Sequence, residues 1–508
     1  MLPHQYTHIF VLGTIFAFCD AFGIGANDVA NSFATSVSSG TLSLKQACLI
    51  AVFTEFLGAL LLGSNTAETI RGGIVKLEYF NGRPDLLMLG MMTSIAGSAA
   101  WVIFATSQGW PISSTHSITG AVLGMGVAAF GKDAVTWKWP GVARIVTSWF
   151  TSPVIAAVVA SILFLTTKYT VLRSENSFRR GLIAIPFYFF LAFFVNLLFI
   201  ITNGTPGKGG GKLPFGKVAW ISALASLGIA IYSYVFYSKW LERKILNNEN
   251  LRWYHIPVIP FLGHRPMPEV VAGDVENQKA QEEGDLEIAE QGSAKKSIFK
   301  KAKDKLFHGV NKDVRNLNNE KLTDIHDRAE KYDDETERLF NFIQVLSACT
   351  ASFAHGSNDV ANAVGPYASI FEIWNNAEIP GAKSPVPIWV LAFGGFGIDC
   401  GLVLYGYHIM RALGNNITYT TPSRGFCAEL GTSLTVVGAS KLGLPVSTTH
   451  CITGAMAGVG LCNGDIHAVN WKMYAYCFFS WIMTLPAAGL LSGLFFALIA
   501  YSPEKVHV

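Results

Sequence analysis

The sequence predicts an all-α polytopic membrane protein of about 12 membrane segments, arranged as two inverted-topology repeats with re-entrant hairpins and a large soluble central loop. Three observations predict it. Of 508 residues, 51% are apolar and only 14% charged, against roughly a quarter charged in ordinary soluble domains. Apolar runs repeatedly approach the ~20 residues needed to cross a bilayer core as a helix. Two phrases are written twice, in the same order: Gly25-Ala-Asn-Asp-Val-Ala-Asn-Ser32 returns as Gly356-Ser-Asn-Asp-Val-Ala-Asn-Ala363, and Pro111-Ile-Ser-Ser-Thr-His-Ser-Ile-Thr-Gly120 as Pro445-Val-Ser-Thr-Thr-His-Cys-Ile-Thr-Gly454. Two doubled phrases point to two halves built around one shared polar site.

Taken in order, the apolar segments fall at about 8–36, 45–64, 86–107, 112–131, 142–167, 181–202 and 217–238, then 339–368, 386–410, 425–441, 446–464 and 471–501. This gives a first membrane half, 8–238, holding one repeat plus two extra helices, and a second, 339–502, holding the other repeat. Between them, residues 239–338 are rich in Lys, Glu, Asp and Asn with no run long enough to span, which reads as a solvated, largely disordered loop. A short apolar patch from Ile256 to Leu262, broken by Pro257 and Pro260, suits the membrane interface. The start of the chain lacks a basic region followed by a small-residue cleavage site, so Phe10 onward reads as a retained span. The net charge of +3 gives no sign of a nucleic-acid partner. The eight cysteines are scattered without a C-x-x-C pair, which favours buried thiols over disulfides or a metal site.

Seven crossings separate the start of one repeat from the start of the next, and seven is odd, so the copies enter the membrane from opposite sides. Counting the pair around the first Ser-Thr-His phrase as a re-entrant hairpin leaves five, still odd. Lys168, Arg173, Arg179, Arg180, Lys239, Arg243 and Lys244 favour a cytoplasmic loop and extracellular termini. Lys208, Lys212 and Lys217 argue the other way, and the acceptor at Asn203 is spoiled by Pro206.

Asn27 and Asn31 are four apart, as are Asn358 and Asn362, so each pair shares a helical face. Gly23, Gly25 and Gly356 would let the backbone loosen and release carbonyls. Amide oxygens, a carboxylate and freed carbonyls form the shell a small hard cation needs. A charged Asp at the bilayer centre costs at least ~2.5 kcal/mol, so Asp28 and Asp359 require a partner or a cavity; interhelical hydrogen bonding with a protonated Asp is the alternative. The Pro-x-Ser phrase reads as a break followed by a helix start. Its hydroxyls, free amides and positive dipole end suit an oxyanion, while a Pro-kinked helix satisfying its own backbone is the alternative. Gly120, Gly124 and Gly126, and Gly454, Gly458 and Gly460, allow close packing. Neither phrase holds Arg or Lys, so bound cations would balance the anion, which couples the two.

Glu55, Asp399 and Glu429 lie in apolar surroundings and break the repeat symmetry: alignment on Gly58 and Gly401 pairs Glu55 with Ile398, and alignment on Pro111 and Pro445 pairs Glu429 with Ile95. Asp20, matched by Ala351, is as well explained by a structural role. His116 and His450 read as hydrogen-bonding support behind the Ser/Thr tips.

At these residues the chain resembles the inorganic phosphate transporter family of sodium-dependent phosphate symporters, and around Phe18-Cys-Asp-Ala-Phe22 and Ile70-Arg71 it looks most like the fungal plasma-membrane members. The resemblance covers both membrane halves. It implies symport of phosphate with sodium into the cell by alternating access. It carries over Asp28, Ser113, Ser114, Thr115, Asp359, Ser447, Thr448 and Thr449 as phosphate-binding residues. It carries over Asn27 and Asn358 as ion-site residues and Glu55 and Glu429 as acids required for transport; with Asn31 and Asn362 on the same helical faces, these six are the expected sodium-binding residues. Ser357, where the family has a small residue such as Ala, departs harmlessly from the pattern. Sodium enters as co-substrate, with no cofactor and no metal beyond it. The partners are inorganic phosphate, sodium and the lipid bilayer, with a homodimer as a possible assembly.

Rivals within transport are a proton-coupled phosphate carrier or a sulfate carrier. A buried carboxylate such as Asp28 accepts a hydrogen bond from protonated phosphate and repels sulfate, which favours phosphate. An intramembrane hydrolase would need one nucleophile with its base, and duplication of the whole set predicts nothing for it. A phosphate-sensing receptor is compatible with transport.

Overall fold

The computed structural model describes residues 1–266 and 320–502, apart from 73, 140, 204–212, 382, 383, 385 and 442–445. Its helices in the first half are α1 (Thr7–Asn27), α2 (Ala30–Ser38), α3 (Leu44–Gly72), α4 (Pro84–Ser107), α5 (Ser114–Phe130), α6 (Val142–Thr167), α7 (Ser177–Asn203), α8 (Phe215–Tyr232) and α9 (Ser238–Ile245). The second half has α10 (Glu320–Asp327), α11 (Asp334–Asn376), α12 (Ile388–Tyr405), α13 (Tyr407–Ile417), α14 (Pro422–Lys441), α15 (Thr448–Leu461) and α16 (Trp471–Tyr501). The chain is an all-α polytopic membrane protein of two inverted repeats.

The count of twelve segments is not reproduced. Among the described residues eight helical stretches are long and apolar enough to span: Thr7–Ser38, Leu44–Ser64, Pro84–Ser107, Val142–Leu172, Ser177–Thr202, Phe215–Ile245, Ile388–Tyr405 and Trp471–Tyr501. The other four expected segments fall short for physical reasons. With 17 and 14 residues, α5 and α15 reach only about 25 and 21 Å at 1.5 Å per residue, less than the ~30 Å core. They are the second arms of hairpins formed with α4 and α14. The other two, α11 and α14, carry the polar residues of the site and of the second hairpin.

Each hairpin tip is a helix start. Ser113 and Ser447 are the N-caps of α5 and α15, extended in backbone, and their hydroxyls accept from the amides of His116 and His450 at 3.3 and 3.4 Å. The second arm then runs on without a basic residue in its last turn, so the polar end of each is its tip.

The repeats are interlocked by exchanged partners. Helix α1 packs on α12 and α11 on α3; α5 packs on α16 and α15 on α6. Every pair takes one helix from each half. A Cβ on Gly25 would strike the carbonyl of Ile398, and one on Gly356 the backbone of Glu55. Likewise Gly401 abuts Phe22 and Gly58 abuts Phe353, while Gly120 abuts Leu485 and Gly454 abuts Pro153. If i touches j′ then i′ touches j, which is the signature of a two-fold relation. Gly25 and Gly356 therefore serve close helix approach and not backbone loosening: α11 runs unbroken through its motif, and only the first copy interrupts its helix, at Asp28 and Val29.

The central segment folds at both described ends, while residues 267–319 lie outside the described residues. Past α9 the chain forms a knot in which Arg243 binds Glu249 at 2.6 Å and the carbonyls of Ile259 and Leu262. At the other end Glu330 pairs with Lys168 at 2.8 Å and Arg173 at 2.7 Å. Its carbonyl accepts from the buried Arg424, which stacks against Phe164, Tyr332 and Tyr419.

Candidate functional site

The two doubled phrases meet, and they meet crosswise. Thr449, at the tip of the second hairpin, shares its hydroxyl proton between Asp28 Oδ1 at 3.2 Å and the Ile112 carbonyl at 2.9 Å and accepts from the Asn31 amide at 2.7 Å. Its counterpart Thr115, at the tip of the first, donates to Asp359 Oδ1 at 3.3 Å and accepts from Asn362 at 3.2 Å. Each tip is thus bound by the motif of the opposite repeat, and through the residue before its crossing threonine by the motif of its own. The neighbours complete the arrangement: Thr448 donates to Asp359 Oδ2 at 3.2 Å, the Ser114 amide donates to Asp28 Oδ2 at 3.2 Å, and Asn362 also reaches Ser114 Oγ at 3.0 Å. All of these residues are buried.

Asp28, Asp359 and His355 each place a ligand atom within 4.8 Å of the others. Carboxylate oxygens at that spacing suit a hard cation. Asn31 Oδ1 is buried and makes no hydrogen bond, so an amide oxygen is free beside them. A narrow cleft of about 20 Å³ opens onto this region. Asn31, Ser32, His355, Glu429, Thr432 and Thr448 are among its lining residues.

Not every expected residue serves the shared centre. Asn27 donates to Thr106 at 2.8 Å and to the Trp110 carbonyl at 2.9 Å, and accepts from the Ile112 amide at 3.1 Å. Both of its amide protons and one lone pair of its oxygen are engaged by the first hairpin's own turn, so Asn27 clamps that turn. Asn358 is only half-buried and donates to Asp359 at 3.0 Å. Ser113 and Ser447 accept from helix amides and keep one hydroxyl proton each to donate. The acids Asp20 and Asp399 are buried but stay outside the cluster.

Glu55 and Glu429 occupy separate pockets. Glu55, on α3, accepts from Ser352 at 2.7 Å and lies 2.8 Å from His355 Nδ1. Glu429, on α14, accepts from Thr35 at 2.5 Å, from Ser36 at 2.9 Å and from Ser347. Each carboxylate therefore accepts from at least one hydroxyl of the other half of the chain, and Glu429 also from Ser347 of its own. His355 is the residue that sequence comparison missed: its Nε2 lies 2.8 Å from Asp359 Oδ2, linking the Glu55 pocket to the centre. A spacing of four from Asp359 was the available signal. Ser347, Ser352, Thr35 and Ser36 carried no signal beyond polarity on apolar helices. All eight cysteines are free thiols.

The profile of the phosphate transporter family matches residues 24–492. The phosphate-repressible phosphate permease pho-4 of Neurospora crassa is 36% identical, over 99% of this chain and 99% of its own length. Sodium-dependent phosphate transporter 1 of Mus musculus is 29% identical, over 98% of this chain and 96% of its own. A solved structure described as the sodium-dependent phosphate transporter superposes with a TM-score of 0.71 at 30% identity, covering 99% of this chain and 100% of that one. The doubled motifs, the interlocked repeats and these similarities agree: the chain is a membrane transporter, not an enzyme, and belongs to the phosphate transporter family.

Proposed function

We propose that the chain carries inorganic phosphate into the cell in symport with sodium, by alternating access of its two repeats. The observation that supports this most is the crosswise pairing of each hairpin tip with the opposite motif. The tips offer hydroxyls and helix-start amides, the donors an oxyanion needs, yet Asp28 and Asp359 already face those donors. Phosphate arriving there meets two carboxylates. Like charges about 4 Å apart repel by roughly 4 kcal/mol at an effective dielectric of 20, so the anion is poorly held unless cations arrive with it. Sodium between the carboxylates and the motif amides removes that repulsion, and neither cargo then binds well alone. Transport of both follows from their mutual need.

In this reading Ser113, Ser114, Thr115, Ser447, Thr448 and Thr449, with Asp28 and Asp359, hold phosphate. Asn31, Asn358 and Asn362 hold sodium beside them, and Glu55 and Glu429 hold further cations in their hydroxyl-lined pockets. Asn27 enters by fixing the first tip. The plasma membrane is the site of action, with the central loop cytoplasmic and the termini outside. The names of the mouse relative and of the solved neighbour, both sodium-dependent phosphate transporters, support sodium as the partner ion.

Proton coupling is the second reading, and His355 favours it. Its Nδ1 bonds Glu55 at 2.8 Å and its Nε2 lies 2.8 Å from Asp359 Oδ2, so the imidazole stands between two carboxylates where a proton could pass. Uptake of labelled phosphate into proteoliposomes separates the two. Uptake driven by a sodium gradient at equal pH supports sodium symport; uptake that needs only a proton gradient assigns the coupling to His355 and its carboxylates.

A further inference from the structure

Directly behind the tips, His116 and His450 occupy equivalent positions of the two repeats, and their rings touch. The centroids are 4.7 Å apart and the planes cross at 75°. Trp149 lies 4.9 Å from His116, and Trp481 lies 3.9 Å from His450. These tryptophans are equivalent too, each one turn before the residue that meets the matched Gly120 or Gly454, namely Pro153 and Leu485. The result is a run of four rings joined by three contacts, Trp149 to His116 to His450 to Trp481. Both histidines are 1% exposed. Nδ1 of His116 is without a hydrogen bond and His450 faces only the backbone of Trp149, so ring packing dominates the contact between the pair. Each histidine also gives its amide to the N-cap serine of its tip, which ties ring position to tip position.

Two equivalent positions in mutual contact must straddle the axis that relates the repeats. If the carrier changes facing by its two repeats exchanging conformations, contacts away from that axis are remade. A contact on the axis maps onto itself. We propose that His116 and His450 form the pivot about which the two tips turn: a positioning pair that keeps the tips in register through the cycle and acts by two flat rings in contact, not by an exchangeable proton. The inference rests on the alternating-access reading above.

Reconstituted His116→Ala and His450→Ala variants should each lose about tenfold in maximal uptake, with half-saturating phosphate and sodium changed by no more than about twofold. The double variant should fall no further than either single one, because each alone removes the same contact. His116→Phe and His450→Phe, which restore a flat ring, should keep most of the uptake. Wild-type rates in the alanine variants, losses in the phenylalanine variants as deep as those in alanine, or multiplied losses in the double variant would each overturn the pivot. Where an alanine variant does not insert, the phenylalanine variants decide: retained uptake supports the pivot and lost uptake refutes it. Counterflow of external labelled phosphate against internal phosphate separates the two levels. A wild type without counterflow removes alternating access itself, whereas His116→Ala exchanging at the wild-type rate removes the pivot alone.

Discussion

His355 Nε2 lies 2.8 Å from Oδ2 of Asp359, one turn further along the same helix. On its other side Nδ1 lies 2.8 Å from Oε2 of Glu55, across the contact between α11 and α3. At the equivalent contact between α1 and α12 the matching positions are Ile24 and Ile398, both fully buried. One of the two matched interfaces is charged and the other is dry, although the backbone contacts that build them are the same.

Removing the imidazole strands two buried acids. Losing one partner of a buried charged set costs about 3–5 kcal/mol, so His355→Ala is expected to melt several degrees lower and to lose at least about tenfold in uptake. His355→Gln, which keeps one amide donor, should recover the melting temperature more than the uptake. Thermal unfolding of the purified variants beside their uptake rates checks both.

The crossed pairs make the two aspartates equally necessary. Asp28→Asn and Asp359→Asn should each lower sodium-driven phosphate uptake by about two orders of magnitude while the protein stays folded in the membrane. A variant of either kind that transports normally would contradict a single centre shared by the repeats.

Glu429 accepts from three hydroxyls of α2 and α11, and glutamine in its place loses half of the acceptor capacity. Glu429→Gln should raise the sodium concentration for half-maximal uptake by about tenfold, with a smaller change for phosphate. Sodium titration at saturating phosphate tests it; equal shifts for both ions would place Glu429 at the phosphate instead.

A methyl group discriminates the glycines. Gly25→Ala drives a Cβ into the Ile398 carbonyl, whereas nothing lies within 4 Å of a Cβ on Gly228. Overpacking costs about 1–3 kcal/mol, so Gly25→Ala should lower the melting temperature and the folded yield. Gly228→Ala should be neutral or stabilising by up to about 1 kcal/mol. The melting curves of the two variants provide the comparison.

Hydrogen bonding from Arg173, aided by Lys168, holds the Glu330 carboxyl down from its ordinary 4.5 to about 2. A carboxylate whose folded pKa is depressed stabilises the fold above its unfolded pKa and loses that contribution as pH falls through the folded one. Relative to wild type, Glu330→Gln should therefore melt about 1–3 °C lower at pH 7, since a solvent-screened pair is worth at most about 1 kcal/mol. The gap should narrow between pH 4.5 and about 2 and vanish below. A gap independent of pH would show that the loss does not come from the carboxylate's charge.

Much of this was legible because it was written twice. The motifs at Asp28 and Asp359 and the tips at Thr115 and Thr449 stood out by repetition, and the alignment on Gly58 and Gly401 proved to be the true packing register. Repetition also set the blind spot. His355 has only Ile24 opposite it, so comparison of the halves passed over it. Asn27 and Asn358 are spelled alike, yet Asn27 is bound to its own hairpin while Asn358 turns to Asp359; a tertiary contact separates them, not a local preference. The segment count is unmatched at α5 and α15, which are short and pack on α16 and α6, and at α11 and α14, which carry the polar residues.

The crosswise pairing also decides how the molecule can be made. Asn31 and Thr449 are separated by 418 residues, Thr35 and Glu429 by 394, and Glu55 and His355 by 300. At the roughly 5–20 residues per second of synthesis, Glu55 leaves the ribosome about 15–60 seconds before the histidine that will pair with it. During that interval the first half sits in the bilayer with its acids and amides unmatched and its close-contact glycines facing no helix. The polar centre consequently cannot close until α15 has been made. Either half produced alone is a membrane protein whose interior is open to lipid.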